Sequence, residues 1–422
     1  MNCLYDSFSC RGTWFLPNEK SAKVGILTYS QSDGIVLEIL EPCKKAINFD
    51  TQKEIPWIVG SSREYSHITL IGCLCIGHDF STNTSLRTTV YRCKGIIVGG
   101  GRYFDIDLNT PAFDEIVITS PHLTEWMAAV RELFQMLNKD DFMCCSQIVE
   151  QFYLSDEIKV EFRKCYEKFA NSMRFNVTPH VKLAIMSSKK ISLNQMYYYV
   201  ERFADFLTLS CLSCPSIELI NLNLHDDSGN CDTACYYPDR SPYAYKVKDI
   251  PLPLFRYVRL AEYGVSFPQL LQRWFNIDRD VEPIREHLIN SVNLRSRIST
   301  IDFQILAYAL EGFSKRFRNI KDGTLGNRIN ALCQEFGDIQ CVSQAQINPK
   351  AIADTRNYYS HFYFRKPQDI IYEGTELVDQ TLSLRKLLIC CILSLIGFTH
   401  EAINAMMGND IDIIITRNKM IH

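Results

Sequence analysis

The hydrophobic period of this chain changes near Pro121, and that change limits the fold to a β-rich part followed by helical parts. Before Pro121, the runs "KVGILTYS", "GIVLEIL", "HITLIGCLCIG", "TTVYRCKGIIVGG" and "DEIVITS" are short, rich in Val, Ile, Thr and Tyr, and separated by Gly, Ser, Asn and Asp. Runs of that kind read as strands of an antiparallel, sandwich-like layer. After it, Trp126, Val130, Leu133, Phe134 and Leu137 recur at steps of three and four, which marks an amphipathic helix. Helical patterns continue through "SQIVEQFY", "EIKVEFRKCYEKFANSM" and "LNQMYYYVERFADFLTL", and an irregular cysteine-bearing stretch runs from Cys211 to about Pro253.

From about Val281 onward the chain reads as all-helical. Ser299 and Asp302 have the spacing of a capping box, ahead of a stripe of Phe303, Leu306, Leu310, Phe313 and Phe317. A shorter helix ends at Gly337. Asn348 as N-cap with Pro349 at the first helical position starts a third. The last runs roughly from Glu376 to Met407; its apolar centre has no polar face, so it is expected to be buried all round. Four helices make an antiparallel bundle the natural packing. The expected fold class is thus α+β: a β-rich domain over 1–120, a mainly helical middle region over 121–280 with a Cys-rich segment at 211–240, and an all-α domain over 281–422.

Composition narrows the setting. The 17 cysteines are odd in number and spread along the length, and the N-terminus lacks a basic-then-apolar leader, so a reducing cytoplasmic location is expected. The longest uncharged apolar run, Leu387 to Phe398, is too short to span a bilayer, which takes about 20 residues. With 46% hydrophobic residues and a formal net charge of −3, an anionic partner must be met by a local basic patch.

The stretch "DTRNYYSHFYF" places Arg356 and His361 five residues apart, with Asn357 between them. Five helical steps turn the chain by about 140°, so a straight helix is expected to keep the two side chains apart. Either the helix breaks near Ser360, or a second copy of the chain completes the pair. By itself the spacing also fits a cation and an imidazole on an ordinary helix. Lys315, Arg316, Arg318 and Lys321 form a basic run, and Arg365 with Lys366 follows the motif. Either set can track a nucleic-acid backbone or simply complement a helix end. Cys211 and Cys214, then Cys231 and Cys235, approximate the spacing of a structural zinc site, with His225 able to replace one thiolate.

"RNYYSH" on the third helix of the bundle resembles the R-polar-x-x-x-H motif of HEPN-domain ribonucleases. "GTWFLP" from Gly12 to Pro17, "GILTYS" from Gly25 to Ser30, "HLTEWM", and "YALEGFSKRF" as the first HEPN helix extend that resemblance to ApeA-type anti-phage HEPN proteins of bacteria. The resemblance implies endoribonuclease activity that needs no metal. The ribose 2′-hydroxyl attacks the adjacent phosphate, with Arg356 and His361 as the R-x4-H pair at a homodimer interface and Asn357 orienting the phosphate or the imidazole. An imidazole exchanges protons near neutral pH and a guanidinium holds phosphate oxygens in bidentate fashion. It further implies RNA, with transfer RNA expected, as substrate and abortive anti-phage defence as role. An always-active ribonuclease would harm its host, so a gate is expected, with the β-rich domain either sensing a phage-derived signal or controlling access to the site; no membrane partner is expected. Lys315, Arg316, Arg318, Arg365 and Lys366 are candidates for gripping RNA, and Glu311 and Tyr359 for supporting the site. The competing reading is a non-enzymatic scaffold, with a HEPN-like bundle for dimerisation and the β-rich domain for ligand or protein contact.

Overall fold

The computed structural model describes residues 3–42, 54–81, 86–127, 146–171, 174–225, 231–248, 250, 253–256, 259–277, 279–293, 298–318, 320 and 323–408. Val130, Leu133, Phe134, Leu137 and Lys321 lie outside them. The chain divides into two compact units: residues 1–124, 136–203 and 216–250, and residues 125–135, 204–215 and 251–422.

The first unit is built on one antiparallel sheet. Strands β1 (Phe8–Phe15), β2 (Lys23–Ser30), β3 (Gly34–Pro42), β4 (Glu54–Ser62), β5 (Ile68–Ser81) and β6 (Leu86–Cys93) pair in the order β4-β1-β2-β3-β6-β5. Pairing of β4 with β5 closes them into a ring. The sheet then continues from β5 through β7 (Gly95–Gly99), β13 (Cys231–Pro238), β12 (Leu219–His225), β8 (Pro111–Thr119), β11 (Arg174–Ser192), β10 (Ile158–Asn171) and β9 (Ser146–Tyr153). The β-rich N-terminal part of the expected α+β fold is thus, among the described residues, one hydrogen-bonded antiparallel sheet whose first six strands close into a ring.

The indole of Trp14 fills the ring. It is fully buried, and the backbone opens room for it at glycines on the neighbouring strands. A Cβ on Gly25 would sit 3.0 Å from Trp14 Cδ1, and one on Gly60, which pairs directly with Trp14, would run into its six-membered ring. The "GTWFLP" and "GILTYS" landmarks are thus two sides of one packing solution.

The middle region departs from the helical reading. "SQIVEQFY" and "EIKVEFRKCYEKFANSM" form β9 and β10. Ile158, Val160 and Phe162 are buried on one face of β10. On the other, Lys159 and Arg163 pair with Glu161, and Arg163 reaches Glu115 on β8 at 2.6 Å. Lys and Glu favour helices by propensity, but cross-strand charge pairing stabilises them here in a strand. Helix α1 (Pro121–Trp126) is short, and "LNQMYYYVERFADFLTL" is helical as expected, as α2 (Leu193–Cys211).

In the second unit, Phe206 meets Trp126, Phe255 and Trp274 at ring separations of 5.3 to 5.8 Å. Helices α3 (Phe267–Phe275), α4 (Glu282–Val292), α5 (Thr300–Phe317), α6 (Leu325–Glu335), α7 (Gln340–Ser343), α8 (Pro349–His361), α9 (Gly374–Leu395) and α10 (His400–Met406) follow. The longer helices α5, α6, α8 and α9 are the four expected, and α5 packs against α4, α6, α8 and α9. Starts are fixed by caps: the Ser299–Asp302 box opens α5, and Asn348 Oδ1 accepts from Lys350 N and Ala351 N at α8.

Residues Leu387 to Leu393 of α9 are buried throughout, as the apolar run requires. The expected single helix from Glu376 to Met407 is instead two. Gly397, at φ +101°, turns the chain with no room for a Cβ beside Arg273, and Thr399 caps α10. No helix among the described residues is long and apolar enough to cross a membrane.

Candidate active site

α8 carries the site, and its end determines the geometry. The helix continues through His361 and stops where Phe362 takes left-handed dihedrals, φ 54° and ψ 35°. Arg356 lies one and a half turns earlier, 14% exposed in its side chain. Its Nη1 comes to 3.4 Å from His361 Nε2. The helix does not break at Ser360, and no second copy is needed to bring the two groups together: the long arginine side chain spans the angular gap along the helix. The angular expectation fails because it treats side chains as radial spokes rather than flexible arms.

Arg356 is held from the side. Its Nη2 donates to Glu311 Oε2 at 3.3 Å from the neighbouring α5, and its guanidinium lies over the Tyr308 ring at 5.6 Å. Glu311 Oε1 also takes Arg328 Nη1 at 3.1 Å from α6 and Lys315 Nζ at 2.8 Å. Three cations thus share one carboxylate, leaving the cluster positive and suited to an anion. Tyr308 Oη hydrogen-bonds Ser360 Oγ at 2.7 Å, tying α5 to the last turn of α8. His361 itself is exposed, its ring 5.3 Å from that of Tyr363.

The remaining candidates divide. Asn357 is half-buried beside Arg356 in sequence, and among the described residues it makes no hydrogen bond to either Arg356 or His361. Tyr359 Oη donates to Tyr372 O at 3.4 Å, bracing the loop that follows α8. Lys315 joins the site through Glu311, and Arg365 and Lys366 lie exposed just past His361. Arg316 instead donates to Asp280 O. Arg318 chelates Glu335 with Nε 2.8 Å from both oxygens and stacks on Phe313 at 5.0 Å. Those two cations are engaged elsewhere.

Sequence reading missed Tyr308, Arg328 and Ser360. Tyr308 precedes Glu311 by three residues on one helix face, which was the available signal; Arg328 reaches the site only through the packing of α6 on α5.

The cysteine quartet is not gathered. Among the described residues no group of three or more His, Cys, Asp or Glu is placed to hold a metal ion. The supposed irregular segment contains the β12–β13 hairpin. In it Cys235 Sγ hydrogen-bonds Asn221 Oδ1 at 3.1 Å, Cys231 is exposed, and His225 Nδ1 pairs with Asp114 at 2.7 Å. Burial pushes the thiol of Cys211 up to about 12 and that of Cys235 up to about 11.

Residues 9–274 match the family described as ApeA N-terminal domain 1, and residues 294–402 match the one described as Apea-like HEPN. Searches of curated proteins and of solved structures return no match.

Proposed function

The chain belongs to the ApeA-type HEPN family, and from that membership we propose that it is an anti-phage endoribonuclease acting in the cytoplasm, with transfer RNA as its substrate. The observation that carries this reading is the approach of Arg356 to His361, 3.4 Å apart at an open helix end. A scaffold has no need to hold a guanidinium beside an exposed imidazole with a half-buried carboxylate behind it.

In the proposed reaction the ribose 2′-oxygen attacks the adjacent phosphorus. The new bond to O2′ forms as the bond to O5′ breaks, leaving a 2′,3′-cyclic phosphate and a 5′-hydroxyl end. Arg356 binds the non-bridging oxygens as negative charge grows on them. His361 takes the 2′-hydroxyl proton or supplies the one that O5′ gains. Attack and departure lie on opposite sides of phosphorus, so one imidazole serves one of these transfers well. A second copy of the chain, contributing its own Arg356–His361 pair, serves the other, which is the reason to propose a homodimer. The need for a 2′-hydroxyl restricts the chemistry to RNA. None of these steps calls on a bound metal. The N-terminal sheet unit is proposed to hold this activity in check until a phage-derived signal arrives.

The test compares bulk RNA from cells expressing the wild type with RNA from cells expressing His361→Ala. Fragments specific to the wild type support the enzyme; identical patterns remove it and leave the dimerising scaffold.

A further inference from the structure

The chain leaves α8 by presenting three aromatic rings in succession to solvent: Phe362 is 87% exposed, Tyr363 62% and Phe364 95%. A single exposed ring is ordinary, but three in succession leave more apolar surface in water than a folded chain normally does. Phe362 takes a left-handed conformation that bulky L residues avoid, and strain of this kind concentrates at functional sites. The display is built, because the following segment is tied back to α8. Asp354 accepts from Ile370 N at 3.3 Å, Thr355 bonds both Ile370 O and Tyr372 N, and Lys350 reaches Gln368 O. Arg365 and Lys366 follow the rings directly, both exposed.

We propose that Phe362, Tyr363 and Phe364 form a stacking platform for unpaired nucleobases flanking the phosphate at His361, so that the site takes single-stranded or looped RNA and rejects duplex. The proposal rests on the nuclease reading above and names its substrate form. Stacking on an aromatic ring requires a base free of its own helix, and rings interleaved with cations are the usual means of holding single strands. Tyr363 lies 5.3 Å from the His361 ring, so a base laid on this surface brings its backbone to the imidazole. A second protein copy is the rival occupant, because interface cores are rich in aromatic rings and Arg, but the exposed Lys366 beside these rings suits a phosphate backbone better than such a core.

The test uses the full chain with two RNA oligonucleotides of one sequence, each carrying 2-aminopurine: one single-stranded, one annealed to its complement. A 2′-O-methyl version blocks cutting and isolates binding. Wild type is expected to quench the single-stranded probe. Phe364→Ala should weaken its binding by roughly tenfold and raise KM with kcat little changed, and Phe364→Trp should restore both. Equal quenching and KM in wild type and Phe364→Ala would overturn the platform, as would equal cutting of duplex. Loss of dimer in Phe364→Ala at unchanged RNA affinity would assign the rings to a second copy instead. Quenching without strand scission would sink the nuclease reading and leave the platform standing; scission with unaltered KM in Phe364→Ala sinks the platform alone.

Discussion

Glu311 and Arg356 meet across α5 and α8, Oε2 to Nη2 at 3.3 Å, and that contact aims the other guanidinium nitrogen at His361. The same carboxylate neutralises Arg328, whose side chain is only 7% exposed. Glu311→Gln keeps the shape and removes the negative charge that Arg356 and Arg328 share. A loss of about 1–3 kcal/mol in stability is expected, together with at least a tenfold loss of RNA cutting. Thermal unfolding and initial rates on one preparation check both; a variant that melts and cuts like wild type refutes the positioning role.

His361 is exposed at the end of its helix, so its removal should cost activity and not stability. His361→Ala is expected to slow cutting by about 10²- to 10⁴-fold with an unchanged melting temperature. Arg356→Lys retains the charge but loses the planar fork, and should also cut poorly. Retained activity in either variant would count against the pair.

His122 on α1 gives the sheet unit a pH dependence. Its Nδ1 accepts from Ser216 N at 3.1 Å, and burial lowers its pKa from 6.5 to about 4. Between those values the unfolded chain binds a proton that the folded chain refuses. Stability is therefore full above about pH 6.5 and falls as the solution is acidified toward pH 4, by about 3 kcal/mol in all. Melting temperatures from pH 7 to 5 should fall in wild type and fall less in His122→Asn, which keeps an acceptor for Ser216. Parallel curves would show that His122 is not responsible.

Trp14 and Gly60 form a tight pair inside the closed ring. Gly60→Val should push the indole aside and destabilise the sheet unit by about 1–3 kcal/mol, and Trp14→Ala should cost about 3–5 kcal/mol through the cavity it leaves. Calorimetry of the full chain reads both losses; a Gly60→Val protein as stable as wild type would mean the ring has slack.

Much of this was legible in the sequence where one local rule decides the outcome. The Asn348–Pro349 start, the Ser299–Asp302 box and the buried Leu387–Leu393 run follow directly from capping and periodicity. The Arg356–His361 pair was legible as a motif, but its meeting within one chain was not, because side-chain reach depends on rotamers rather than spacing. β10 was misread although "IKVEFR" alternates: its Glu and Lys suit a helix until Glu115, distant in sequence, supplies the charge that Arg163 meets. The cysteine spacing suited zinc, yet strand pairing commits Cys235 to Asn221 across a hairpin. Spacing limits what a segment can do; long-range pairing decides what it does.

The decisive measurement is the chemistry of the ends left on RNA by purified wild-type chain, with His361→Ala alongside. A 2′,3′-cyclic phosphate and a 5′-hydroxyl, produced by the wild type and absent with the variant, are the expected result. Ends bearing a 3′-hydroxyl and a 5′-phosphate, or equal cutting by His361→Ala, would contradict catalysis by the Arg356–His361 pair.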